Sequence, residues 1–290
     1  MRLNLAKSHQ RQIEQVLQGE LQDVETLHGG CVGEVYACRS RTGARVVAKV
    51  DRAQSGALLD EGKMLETLSA LQVIPVPRVF QATDSLLLMQ HMPGSPSGHQ
   101  WAQEDAACHL SSLHRVSHGS FGFAYDTRIG GLRQPNVEKS SWLSFFRDHR
   151  LLWMAEAAQK EGRLSSGIVR RIEMLAARLS EYMDEPARPA LIHGDVWSGN
   201  VLVHHRRISA WIDPAIYFAD PEMELAFITL FHTFSEPFFA KYVEQGGVIS
   251  SDFWDTKRHL YNLYPLLVHV RLFGDTYVPQ LDATLRLVGA

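Results

Sequence analysis

The chain has 290 residues, enough for two lobes and a substantial core, and its 45% hydrophobic and 21% charged residues are ordinary for a soluble globular protein. A net charge of −3 argues against a nucleic-acid-binding surface, no apolar run approaches a bilayer's thickness, and residues 1–18 lack a secretory apolar core. Cys31, Cys38 and Cys108 form no C-x-x-C pair, so neither a disulfide framework nor a zinc site is indicated, and a soluble cytoplasmic protein is expected.

In chain order, residues 8–18 read as a short amphipathic helix and 24–27 as the start of an extended run. The loop His28-Gly29-Gly30-Cys31-Val32-Gly33-Glu34 follows, then strands at 35–38 and 45–50 around the turn Thr42-Gly43-Ala44. Glycines let backbone amides approach phosphates without a Cβ in the way, which marks Gly30, Cys31 and Gly33 as candidate ATP contacts, although such loops also make plain hairpin turns. The spacing is neither the Walker pattern nor the dinucleotide fingerprint. Lys49 closes the third strand as Val-Val-Ala-Lys, the context in which a kinase-type lysine reaches the α- and β-phosphates. Residues 58–71 predict a helix with Leu58, Leu65 and Leu68 on one side; Glu61 on it is the expected partner of Lys49, and Glu66, later in the helix, fits the surface.

Pro75 and Pro77 end that helix, and residues 79–82 and 85–90 predict a second hairpin around Thr83-Asp84. Met89, Gln90, His91 and Met92 then lead into Pro93-Gly94-Ser95-Pro96-Ser97-Gly98, the clearest linker in the chain. The lobe boundary is placed here, 1–92 against 93–290, with backbone groups of residues 89–92 expected to hold the adenine. Beyond it, 103–116, 142–161 and 165–183 predict helices separated by a glycine- and aromatic-rich loop over 120–136. His109 and His114, five apart, are expected at the core edge or surface rather than on a metal. The segment from Asp220 starts a further helix with Glu222 and Glu224 in its first turn, where acids suit the helix dipole and where one of them is also a candidate to position the Asp195 loop. The rest, through His269, reads as helical packing.

Between these helices lies His193-Gly194-Asp195-Val196-Trp197-Ser198-Gly199-Asn200, followed by Trp211-Ile212-Asp213-Pro214. Two apolar runs around a charged turn predict a β-hairpin over 201–212. With the turn centred on Arg206-Arg207, Val201 would face Ile212, Val203 would face Ala210, and Asn200 and Asp213 would stand side by side at the open end. Asp, short loop, Asn, hairpin and second Asp is the layout of phosphoryl transfer: the first Asp takes the acceptor hydroxyl proton, and Asn and the second Asp hold Mg2+ on the phosphates of ATP. Hard oxygen donors suit that ion. A His-Gly-Asp tripeptide alone would be an ordinary turn; the ordered set is far more specific.

With these residues in place, the chain from the Gly29-Gly30-Cys31 loop to about Tyr277 resembles the fructosamine kinase (ketosamine-3-kinase) family. Trp197-Ser198 inside the signature distinguishes it from the related aminoglycoside and choline kinases, and Ile212-Asp213-Pro214-Ala215 and Leu260-Tyr261-x-Leu263-Tyr264-Pro265 also look like the family's pattern. The resemblance implies an α+β, protein-kinase-like two-lobed fold, with a small antiparallel sheet in the N-lobe and a mainly helical C-lobe. It implies ATP-dependent phosphorylation of the 3-hydroxyl of a ketosamine, free or protein-bound, as a deglycation repair step. Asp195 would be the base, Asn200 and Asp213 the magnesium ligands, Lys49 and Glu61 the phosphate-positioning pair, and Trp197 a wall of the sugar site. Gln90 stands where an acidic residue is usual, and Glu224 where many relatives carry Asp. Cys31 in the phosphate loop is a candidate for oxidation that blocks ATP binding or links two chains, against the plainer reading of a small residue in a tight loop. The alternatives are a phosphotransferase for an aminoglycoside, choline or sugar, and a nucleotide-binding pseudokinase.

Overall fold

The computed structural model describes residues 5–27 and 33–289. In chain order the elements are α1 (Lys7–Leu17), β1 (Leu21–Leu27), β2 (Glu34–Ser40), β3 (Arg45–Val50), α2 (Ala57–Leu71), β4 (Val79–Ala82), β5 (Leu86–Gln90), α3 (Gln103–Leu113), β6 (Thr127–Ile129), β7 (Leu132–Gln134), α4 (Trp142–Phe146), α5 (Trp153–Lys160), α6 (Ser166–Ala176), β8 (Ala190–Ile192), β9 (Val201–His204), β10 (Arg207–Trp211), β11 (Tyr217–Ala219), α7 (Glu222–Leu230), α8 (Glu236–Glu244), α9 (Arg258–Phe273) and α10 (Val278–Leu287). They form two compact units, one of Met1–Gly98 with Gly199–Pro214 and the other of His99–Ser198 with Ala215–Ala290.

The first unit is built on an antiparallel sheet in the order β1-β2-β3-β5-β4. β3 lies between β2 and β5, with Lys49 opposite Val35 on one side and Leu87 on the other. Side chains alternate along a strand, so Val46, Ala48 and Val50 share one face and Val47 and Lys49 the other. The first face packs with Ile13 and Leu17 of α1 and with Tyr36, Cys38, Leu86 and Leu88. The second receives α2 through Leu58 and Leu65, together with Leu87 and Met89. Glu61 stands three residues after Leu58 and four before Leu65, inside the apolar stripe of α2 rather than beside it. Periodicity alone therefore brings Lys49 and Glu61 to one interface.

The approach of α2 depends on Gly62. A Cβ there would stand 2.4 Å from the Cβ of Ala82 on β4, closer than carbon atoms pack.

The hairpin β9–β10 belongs to this unit, and its register differs from the one expected. His205 and Arg206, with φ of 49° and 63°, form the turn, so His204 pairs with Arg207 and Val203 with Ile208. Two successive left-handed residues are the signature of the tight turn whose twist matches the flanking strands. A bulge at Ser209 then shifts the ladder by one, placing Ala210 opposite Leu202 and Trp211 opposite Val201. The Ser209 hydroxyl donates to the Pro93 carbonyl at 2.6 Å and reaches the Leu202 carbonyl at 3.1 Å. Ile212 N–H donates to the Asn200 carbonyl at 3.1 Å, so Asp213 follows one residue past Asn200's partner rather than opposite Asn200 itself. Ser95 and Val203 exchange both backbone hydrogen bonds, so the proline-rich segment 93–98 is anchored to the hairpin.

The second unit is mainly helical, with two short strand pairs. β8, not foreseen in the sequence, is buried and pairs antiparallel with β11, Tyr217 opposite Ile192. The expected loop over 120–136 contains the hairpin β6–β7. The helix expected over 142–161 is interrupted at Arg147–Leu152 by a wider π-type turn. There Arg150, fully buried, donates to the carbonyls of Pro135 (2.7 Å) and His149 (2.9 Å) and to Asn136 Oδ1 (2.7 Å). Its guanidinium lies 3.8 Å over the Tyr217 ring. The helices expected to Val116 and Met183 stop earlier, at Leu113 and Ala176.

Replacing Gly62 by Ala is expected to destabilise the protein by about 1–3 kcal/mol through overpacking against Ala82. In urea unfolding, adding Ala82→Gly to Gly62→Ala should recover most of that loss, because the second change removes the clashing methyl. Additive losses would contradict this packing.

Candidate active site

In the first unit the site is an ion cluster. Lys49, buried on β3, donates through Nζ to Glu61 Oε1 at 2.7 Å and makes a second, shorter contact with Asp213 Oδ1. Three segments thus meet at one ammonium: a central strand, the buried face of the helix that follows it and, from far along the chain, the end of the hairpin. Burial works against the Lys49 charge, but the carboxylates of Asp213 and Glu61 more than reverse it, so the ammonium is held well above its ordinary value. Glu61 is raised as well, which for a carboxyl disfavours the charged form. Its burial raises the carboxyl, Lys49 opposes this and the like charge of Asp213 adds to it, leaving Glu61 at about 7.

Asp213 itself has φ of 54°, a left-handed backbone unusual outside glycine, at the point where β10 ends. Asn200, buried, begins β9 through the short turn Ser198–Asn200. Among the described residues, no group of three or more His, Cys, Asp or Glu side chains is disposed to hold a metal. Asn200 and Asp213 offer one carboxamide and one carboxylate at the same end of the hairpin. That set fits magnesium, which takes few protein oxygens and completes its shell with water and phosphate.

The other expected ATP contacts on this unit lie at two places. Gly33 immediately precedes β2 with φ of 70°, while Gly30 and Cys31 lie outside the described residues. Met89 is buried in the sheet core and Gln90 N–H donates to the Arg78 carbonyl at 2.8 Å, both as part of β5; His91 and Met92 follow the strand. Cys38, also buried, has its thiol pushed up to about 12 by desolvation, which makes it inert.

In the second unit the chain leaves β8 into His193-Gly194-Asp195. Ala215 N–H donates to the His193 carbonyl at 2.8 Å. Gly194 has φ of 84°, and a Cβ on it would stand 2.2 Å from the Ala215 carbonyl oxygen, so the residue before Asp195 has to be glycine. Glu224 on α7 holds the same turn: Oε1 accepts from Gly194 N–H at 2.6 Å and Oε2 from His193 N–H at 3.3 Å. His114 Nε2 is 2.9 Å from Oε2, and His114 Nδ1 is 2.8 Å from the Tyr242 hydroxyl. Burial alone would raise the Glu224 carboxyl, but the His114 bond, the neighbouring imidazoles of His114 and His193 and the Gly194 amide together keep it below its ordinary value. Trp197, two residues after Asp195, is 40% exposed while Val196 is fully buried.

Of the two readings offered for Glu222 and Glu224, Glu224 meets the positioning one, whereas nothing in the sequence pointed to its bond with His114. One signal was available: Glu224 is flanked by Met223, Leu225, Ala226 and Phe227, so the acid had to be buried with them.

The arrangement, a buried lysine bridged by two carboxylates and a glycine-turned aspartate after a short strand, defines a protein-kinase-like fold. A family model described as fructosamine kinase matches residues 5–288. A probable ketoamine kinase of Synechocystis is 30% identical over 276 residues, covering 92% of this chain and 90% of that protein. A probable ketoamine kinase of Escherichia coli K12 is 29% identical over 286 residues, covering 96% of each. A Thermobifida fusca crystal structure provisionally named a fructosamine-3-kinase is 28% identical, with a TM-score of 0.86 over 98% of this chain and 99% of that one. An aminoglycoside phosphotransferase solved with ADP and hygromycin B shares the fold at 16% identity, with a TM-score of 0.68 over 98% of this chain and all of that one. The chain belongs to the fructosamine kinase family.

Glu61 should titrate near 7 by carbon-detected NMR in the nucleotide-free protein. Asp213→Asn should lower that value, because it removes the like charge that raises it and leaves Lys49 to Glu61 alone. Since the folded pKa lies above the ordinary 4.5, Glu61 contributes stability that is complete below about 4.5 and lost as pH rises through about 7. An unchanged or raised Glu61 value in Asp213→Asn would contradict the cluster.

Proposed function

We propose that this protein is an ATP-dependent kinase that phosphorylates the 3-hydroxyl of a ketosamine of the fructosamine or ribulosamine type, as a step in deglycation. The observation that carries the phosphotransfer reading is the Lys49–Glu61–Asp213 cluster in the first unit. A buried ammonium fixed by two carboxylates is a preorganised counter-charge for the phosphates of a nucleotide. The family's description and the ketoamine-kinase names of relatives support the acceptor, and the ADP held by an aminoglycoside phosphotransferase of the same fold supports the nucleotide.

In this reading Lys49 orients the α- and β-phosphates and Glu61 holds Lys49 in place. Gly30, Cys31 and Gly33 carry the phosphate loop, and the backbone of residues 89–92 receives the adenine. Asn200 and Asp213 hold Mg2+, which supplies charge neutralisation on the phosphates. Asp195 orients the acceptor hydroxyl and takes its proton as the oxygen attacks the γ-phosphorus. The bond from that phosphorus to the bridging oxygen breaks, and ADP leaves. Trp197, exposed two residues after Asp195, walls the sugar site in the same reading. No membrane or nucleic-acid partner enters this reading. Among the described residues no helix is long and apolar enough to cross a membrane, and a cytoplasmic enzyme is the proposed setting.

ADP release should be followed with ATP, magnesium and either ribulose-lysine or fructose-lysine. Turnover is expected with at least one adduct, and Asp195→Ala should lower it by roughly 10²–10⁴-fold while ATP still binds. Lys49→Ala should weaken ATP binding as well as turnover. Turnover with an aminoglycoside or choline but no ketosamine would overturn the acceptor assignment.

A further inference from the structure

Within the second unit, Glu224 is a fully buried carboxylate that accepts from three donors: two backbone amides of the catalytic turn and His114. The ionised carboxylate can only accept, so His114 Nε2 carries the hydrogen in that bond. A neutral imidazole then leaves Nδ1 to accept from the Tyr242 hydroxyl. The tautomer is thus set from α8 and read out on the turn that presents Asp195.

A second tie runs in parallel. His114 closes α3, and the next residues return to β8: Leu191 N–H donates to the Val116 carbonyl at 2.9 Å and the Ser117 hydroxyl to the Pro189 carbonyl at 2.7 Å. The strand entering the catalytic turn and the turn itself are therefore gripped by one segment, 114–117. The His114 and Tyr242 rings also meet edge-on, with centroids 5.6 Å apart, which restricts rotation of the imidazole.

We propose that His114 is a positioning residue for the transfer reaction. Through Glu224 it fixes the backbone of His193-Gly194 and hence the carboxylate of Asp195, and Tyr242 sets its tautomer. The inference rests on the reading of Asp195 as the base. The groups facing Glu224 are His114 from the end of α3, His193 from the loop after β8, Tyr217 from β11 and Tyr242 from α8. Of these, His114 supplies the side-chain donor that keeps the buried carboxylate ionised. Without it, burial pushes the Glu224 carboxyl up, and a protonated Glu224 loses acceptor capacity toward the turn.

The test uses His114→Phe, His114→Gln and Tyr242→Phe in the full chain. Ketosamine-dependent turnover is measured from pH 5 to 9, and hydrogen exchange is measured on a peptide spanning 190–196. For His114→Phe, kcat should fall by about tenfold or more with KM for ATP within about twofold, since the Lys49 cluster lies on the other unit. The acid limb of kcat should move to higher pH and the 190–196 peptide should exchange faster. His114→Gln, which can present an amide N–H to Glu224, should recover most of both effects, and Tyr242→Phe should show a smaller loss. Three results overturn the proposal: unchanged exchange at 190–196 in a folded His114→Phe, an unmoved acid limb, or equal losses in the Phe and Gln variants. If the wild type turns over no ketosamine, the acceptor reading fails separately, and the exchange comparison still decides the role of His114.

Discussion

A single buried ammonium sets the terms for the first unit. Lys49 is taken out of water on a central strand, and a lone charge there would be unsustainable. Two carboxylates make it tolerable, and they come from the apolar face of α2 and from the end of a hairpin some 160 residues later in the chain. Helix, sheet and hairpin are each constrained by that requirement. The helix must approach closely enough for Glu61 to reach, which is why Gly62 meets Ala82 without a Cβ between them. The hairpin must end with its carboxylate aimed at the sheet, which is where Asp213 takes up a left-handed backbone. Removing one partner of such a buried pair is strongly destabilising, because it leaves an uncompensated buried charge.

The second unit solves a different problem, holding a sharp backbone turn rather than a charge. Gly194 permits the turn, the Ala215 amide closes it and Glu224 ties down the two amides it leaves facing inward. Other buried polar side chains of this unit are paired as well. Arg150 donates to carbonyls between aromatic rings, and Lys257 meets Glu222 at 2.6 Å, while the Tyr261 hydroxyl donates to Asp220 at 2.6 Å. Such pairing rigidifies the segments it joins.

A fold shared with an aminoglycoside phosphotransferase at 16% identity shows how little the scaffold says about the acceptor. Phosphate handling is common to the class because it needs only a fixed cation, an oxygen-rich metal site and a placed base. Trp197, between Asp195 and Asn200, is an exposed large apolar side chain within the stretch that the sequence singled out.

Local patterning decided much of this protein. Alternation along residues 45–50 and the apolar stripe of 58–71 put Lys49 and Glu61 on facing surfaces, and the pairing of these residues is legible because each period is dictated by backbone geometry. The two apolar runs at 201–212 likewise require a hairpin. Its register was not legible: the choice of His205-Arg206 as the turn and the bulge at Ser209 follow from twist matching and from the bond to Pro93, a residue more than a hundred positions away. The π-type turn at Arg147–Leu152 is decided by where Arg150 finds carbonyl partners, which no helical period records. Glu224 and His114 belong to the same group. A helix dipole, a loop contact and a core-edge or surface site all suit their residue types and spacing, and only the packing of α3, α7 and α8 around one strand end turns Glu224 and His114 toward the His193-Gly194 turn. Composition and period fix what a segment's own backbone prefers; contacts between segments distant in the chain decide which polar atoms are buried together, and that is set only when the whole core closes.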